Sequence, residues 1–105
     1  MPRSKSLTRA DFAKTKGFRR LVGVFLSVGY GIIPNQVTGK GAVVVSKKVA
    51  KSAVERNRIK RALRSLLVRS LTAGGPSLVV TIRKSAPSRD LRVDLETVLA
   101  KILRS

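Results

Sequence analysis

The chain has no cysteine and no histidine in 105 residues. Without cysteine there are no disulfides, thiolate metal ligands or thiol nucleophile. Without histidine no His-containing triad or metal site can be assembled. Tryptophan is also missing, the aromatics are three Phe and one Tyr, and acids number only five. Protein-borne acid–base chemistry would fall to those scattered carboxylates or to a perturbed lysine. The lack of cysteine agrees with a reducing compartment. No apolar run approaches the ~20 residues of a membrane span. Arg19-Arg20 before the apolar run Leu21–Val28 resembles an export signal. A helix pattern precedes the run, however, and no A-x-A cleavage site follows it. The run is therefore read as a buried strand and the protein as cytoplasmic.

What is abundant is positive charge. There are 23 Lys and Arg against five acids, a formal net charge of +18. Self-repulsion on that scale opposes compactness at low salt, and a phosphate-rich partner relieves it. With 43% apolar residues the chain can still build one modest core, so it reads as a single domain over 1–105. The charge is densest from Ser46 to Arg64, where Lys47, Lys48, Lys51, Arg56, Arg58, Lys60, Arg61 and Arg64 stand beside one acid, Glu55. No internal repeat is visible.

Residues 1–6 read as a flexible leader. Thr8 to Asp11 has the form of a capping box, opening a short helix that stops before Gly17, with Leu7 and Phe12 as a hydrophobic staple. Leu21–Val28 is β-rich. Gly29, Gly31, Pro34-Asn35 and Gly39 crowd a loop, and a second strand runs from about Gly41 to Ser46. These two strands are expected to pair as a hairpin with a long connection.

From about Ser52 the period becomes helical, with Ile59, Ala62, Leu63, Leu66 and Leu67 on one stripe. Gly74-Gly75-Pro76 are expected to end this helix through a left-handed glycine cap. Leu78–Ile82 is a third strand. Ser88 is expected to cap a last helix with the stripe Leu91, Leu95, Val98, Leu99, Ile102 and Leu103. In that helix Asp90 and Asp94 are read as partners of the macrodipole. The order is α-β-β-α-β-α, an α+β two-layer sandwich with helices on a small sheet.

At 100° per residue the apolar stripe of the basic helix leaves Asn57, Arg61 and Arg64 opposite, flanked by Arg58 on one edge and by Lys60 and Arg56 on the other. A solvated helix face normally mixes signs for i,i+4 support; this face offers only Glu55. Guanidinium groups suit bidentate phosphate recognition. Lys47, Lys48 and Lys51 precede the helix start, where free amides also favour anions. The pattern predicts a continuous anion-binding surface. Single-stranded nucleic acid is usually held by a basic groove with stacking aromatics, and Phe12 and Phe25 are the best placed for that role.

Other signals are weak. Gly39-Lys40-Gly41 lacks the full P-loop spacing. No second short helix follows as a helix-turn-helix requires, and no RRM strand signature appears. Asp90, Asp94 and Glu96 are better read as early-helix acids than as a cation site.

The run Ser46-Lys47-Lys48-Val49, then Ala53-Val54, Arg56-Asn57-Arg58, Lys60-Arg61 and Arg64, resembles the signature of the bacterial ribonuclease P protein component. Weaker agreement extends over nearly the whole chain, from Leu7, Asp11 and Phe12 to the strand ending at Arg83 and the final helix. The resemblance implies a ribosomal protein S5 domain 2-like fold with a left-handed βαβ crossover, against the usual hand. It also implies a subunit of ribonuclease P, an endonuclease that removes the 5′ leader of precursor tRNA.

In that family the catalytic RNA and its Mg²⁺ carry out the hydrolysis, so catalytic residues and direct metal ligands are expected in the RNA and not in this chain. The RNA-binding set carried over is Lys47, Lys48, Lys51, Arg56, Asn57, Arg58, Lys60, Arg61 and Arg64. Phe12 and Phe25 are carried over as the lining of the leader cleft. The family often has a second aromatic four residues after the first, where this chain has Lys16, with Phe18 two residues on. The alternative is a small basic ribosomal or RNA-assembly protein, which composition alone fits equally well. A third reading is DNA binding by the basic helix.

Overall fold

A computed structural model describes residues 17–33, 39–71 and 75–104. The helix expected from Thr8, with Leu7 and Phe12, lies outside these residues, as does the 1–6 leader. The described order is β-β-β-α-β-α: β1 Arg19–Val22, β2 Leu26–Gly31, β3 Gly41–Val45, α1 Ala53–Ser70, β4 Ser77–Ile82 and α2 Ser88–Arg104. The strands form one mixed sheet in the order β1-β2-β4-β3.

The run read as one strand over Leu21–Val28 is two strands folded back on each other. β1 pairs antiparallel with β2, Leu21 opposite Val28 and Val22 opposite Ser27. A turn over 23–26 connects them, closed by the Gly23 N–H donating to the Leu26 carbonyl at 2.7 Å. Hydropathy did not mark this reversal, because Val24 and Phe25 carry the apolar character across the turn. What stabilises it is remote. The carboxylate of Asp94 accepts backbone N–H bonds from Val24 at 3.0 Å, Phe25 at 2.8 Å and Leu26 at 3.2 Å. Asp94 is buried, so the macrodipole role expected for it is replaced by a bond across the fold. Bonds to a charged acceptor are about twice as strong as neutral ones. Gly23 lets the carboxylate approach, since a Cβ there would sit 2.5 Å from Asp94 Oδ1.

The expected hairpin between the first strand and the 41–46 strand does not form. β2 pairs antiparallel with β4, Val28 opposite Val80, and β3 pairs parallel with β4, Val43 opposite Val80. Leu78–Ile82 is apolar along nearly its whole length, which suits a strand with neighbours on both sides. The chain joins β3 to β4 through α1, as parallel neighbours require.

Period-2 alternation sends Leu26, Val28, Val43, Val45, Leu78, Val80 and Ile82 to one face. There they meet Ile59, Leu63 and Leu67 of α1 and Leu91, Leu95, Val98, Leu99 and Ile102 of α2 in one cluster. Helix α1 packs on β3, and α2 packs on β2 and β1 and against α1. Burying each such side chain contributes about 1.5–3 kcal/mol of transfer free energy.

The Oγ of Ser52 accepts the Glu55 N–H at 3.1 Å and caps α1. The helix ends earlier than the glycines suggested. Ser70 is its last residue, and Leu71 is extended at φ −85°, its N–H bonded to the Val68 carbonyl at 3.2 Å. Leu71 is buried in the core, so packing ends the helix there; Gly74 lies outside the described residues. In α2 the Pro87 carbonyl accepts the first helical bond, from Leu91 at 3.1 Å. That places the cap one residue before the expected Ser88. Among the described residues no helix is long and apolar enough to cross a membrane.

Candidate nucleic-acid interface

Helix α1 separates its two functions by angle. Ile59, Leu63 and Leu67 are buried, Ala62 and Leu66 half-buried, and Asn57, Arg58, Arg61 and Arg64 exposed. The apolar stripe anchors the helix to the sheet, which leaves the opposite arc facing solvent. Lys60 is half-buried, consistent with an alkyl stem lying along apolar surface beneath a hydrated ammonium. Toward the C-terminal end, Arg61, Arg64 and Arg69 surround a concavity of about 460 Å³ that Ser65 and Val68 also line. Arg69 was absent from the sequence-derived set. Its place on the same arc, eight residues after Arg61, was the available signal.

The approach to α1 is a structured turn. The Ser46 carbonyl accepts N–H bonds from Val49 and Ala50, both at 3.1 Å. Ala50 is buried and Val49 packs against the core, so the turn is fastened from beneath. Lys47, Lys48 and Lys51 remain exposed. Arg56 has a different task from its neighbours. Its Nη1 donates to the carbonyls of Ala50 and Lys51, both at 3.0 Å, and the residue is half-buried. It ties the lysine turn to the first turn of α1, leaving its other N–H groups for further bonds.

The aromatics divide between the two faces of the sheet. Phe25 sits in the β1–β2 turn, half-buried, and packs against the core cluster. Phe18 lies elsewhere. Gly29 and Gly31 alternate with core-facing residues of β2 and so point away from the helices. A Cβ at Gly31 would meet the Phe18 ring 2.6 Å away, so the ring lies over this glycine stripe on the sheet's other face. Sequence reasoning noted Phe18 only as an off-register aromatic, because nothing local shows which strand residues leave room for a ring. Phe12 is outside the described residues. Among those residues no three acidic, His or Cys side chains converge as a metal site would require, and Asp94 is committed to backbone N–H groups.

This arrangement offers guanidinium and ammonium groups on a fixed helix and turn. It can bind phosphate oxygens but has no assembled nucleophile, general base or metal centre among the described residues. The family described as Ribonuclease P matches residues 1–103. A ribonuclease P protein component from Pseudanabaena sp. (strain PCC 6903) is 40% identical over 100 residues, covering 89% of this chain and 85% of the relative. The Staphylococcus aureus RNase P protein has a similar fold, with a TM-score of 0.76 at 24% identity over 90% of this chain and 91% of that one. The Thermotoga maritima RNase P protein gives 0.71 at 23% identity over 89% and 92%. With a family match from residue 1 to 103 and the basic signature displayed on α1, the chain belongs to the ribonuclease P protein family.

Proposed function

We propose that this protein is the RNA-binding subunit of a ribonuclease P holoenzyme and acts in the cytoplasm. It binds the catalytic RNA and the 5′ leader of precursor tRNA, and assists the cut that gives the mature tRNA 5′ end. The observation that carries this reading is the outward arc of α1, with Asn57, Arg58, Arg61 and Arg64 exposed opposite the buried Ile59, Leu63 and Leu67.

Guanidinium groups on a rigid helix lose little freedom when they meet a phosphate backbone, and their fork geometry suits two oxygens at once. Lys47, Lys48, Lys51 and Lys60 add point charges along the same path, and Arg56 holds the turn that presents three of them. Mg²⁺ belongs mainly to the RNA in this reading. It supplies Lewis-acid activation of water and charge neutralisation there, while this chain's cations lower the repulsion between RNA segments. The leader, being single-stranded, takes a stacking surface. Phe12 and Phe25 are assigned to it, together with the glycine-floored sheet face under Phe18.

The test is reconstitution with a bacterial ribonuclease P RNA and precursor tRNA at low Mg²⁺. Faster 5′ cleavage on adding the protein is expected, with the stimulation disappearing when the leader is cut to about one nucleotide. A protein that binds the RNA yet leaves the cleavage rate unchanged would instead be the small basic RNA-assembly protein weighed against it.

A further inference from the structure

Strands β3 and β4 are parallel and in register up to Val45 opposite Ile82. The two chains therefore leave the same end of the sheet from neighbouring positions, the last pair standing at the ~4.8 Å spacing of neighbouring strands. After β3 come Ser46, Lys47 and Lys48; after β4 come Arg83, Lys84 and Ser85. All six are exposed. Arg83 and Lys84 stand outside the sequence-derived binding set, because a helix and its flanking loops separate them from the lysine turn in the chain.

The exit of β4 is also unusually well fastened. The N–H groups of Arg83 and Lys84 both donate to the Phe25 carbonyl, at 2.8 and 3.0 Å. The Phe25 N–H donates in turn to Asp94 Oδ2 at 2.8 Å. A buried carboxylate on α2 thus fixes the turn that fixes the backbone of two exposed cations. A surface loop needs no such anchoring merely to stay solvated. A binding element gains from it, since side chains on an ordered backbone lose less freedom when they meet a ligand.

We infer that Arg83 and Lys84 form a second phosphate-binding element for the RNA that α1 binds, continuous with Lys47 and Lys48 across the shared end of β3 and β4, and that Asp94 is its positioning residue. The inference rests on the function proposed above and extends the interface from one helix face to the adjoining end of the sheet. RNA then bridges the two strand exits, and a phosphate between them is approached by cations from both.

The experiment compares the full-length protein with R83Q/K84Q and R61Q/R64Q in binding a bacterial ribonuclease P RNA transcript over a salt series, with thermal melts in parallel. Each phosphate that a variant no longer neutralises lowers the log–log salt slope by about 0.7–0.9. R83Q/K84Q is expected to lower it by about 1.4–1.8 with an unchanged melting temperature. A full slope in R83Q/K84Q beside a reduced one in R61Q/R64Q overturns the inference and leaves the proposed function standing. Full slopes in both overturn the function as well. Asp94→Asn, assayed at a temperature where circular dichroism shows it folded, is expected to lose slope although both cations remain. A full slope there removes Asp94 from the positioning role, since a purely structural carboxylate would change the melt and not the slope.

Discussion

Helices α1 and α2 lie on the same face of one sheet and bury stripes of the same kind, yet their other faces differ. The outer arc of α1 carries Arg58, Arg61, Arg64 and Arg69, with Glu55 as the helix's one acid. The exposed positions of α2 mix Arg89, Asp90, Arg92, Glu96 and Lys101. Mixed signs are what solvation and i,i+4 pairing favour. A single sign raises repulsion and calls for a counter-charge from outside. The packing face therefore shows how a helix is held, and the outward charge pattern is what the proposed binding role uses. The acids differ as well. The Glu55 N–H takes part in the cap of its own helix, whereas Asp94 reaches across to a turn 68 to 70 residues away.

The largest effects should fall equally on the two helices. Leu63→Ala in α1 and Leu95→Ala in α2 each empty a fully buried position and should each lower stability by about 2–5 kcal/mol in urea unfolding. A large asymmetry would mean that only one helix anchors the core. Next comes the feature peculiar to α2. Gly23→Ala pushes a methyl into the Asp94 carboxylate, and a loss of about 1–3 kcal/mol is expected from such overpacking; unaltered stability would show that the turn does not depend on the close approach. Smaller again is Ser52→Ala, which removes the α1 cap and should cost about 1 kcal/mol by the same measurement.

The smallest stability change separates the outer faces most sharply. Arg61→Gln with Arg64→Gln, and Arg89→Gln with Arg92→Gln, should each stay within about 0.5 kcal/mol of the parent. Only the α1 pair should flatten the salt dependence of RNA binding, by about 1.4–1.8 in log–log slope for two phosphates. Equal flattening by the α2 pair would mean that net charge and not the arc governs binding.

Much of the fold was legible because it is written in local periodicity. The stripe Ile59, Leu63, Leu67 and the stripe of α2 follow from 3.6-residue spacing, and the strands at Gly41–Val45 and Ser77–Ile82 from β-rich apolar runs. The split of Leu21–Val28 was not legible, since a turn made of Gly, Val and Phe keeps the hydropathy of a strand. The pairing of β3 with β4 escaped for a related reason: nearness in sequence favours a hairpin, and only the return of the chain through α1 makes the parallel choice. Within the site, the exposed cations of α1 were identifiable by angle. The use of Arg56 on carbonyls of the preceding turn, the seat of Phe18 over Gly31 and the neighbouring exits of β3 and β4 were not.

By itself the sequence determined the chemistry open to this protein. A large excess of guanidinium and ammonium groups favours binding phosphate, and helical spacing already sorted those groups from the apolar stripe. Tertiary structure alone decided which cations share a surface. That depends on sheet order and on bonds such as those of Asp94, which join residues distant in the chain through interactions that no local pattern encodes.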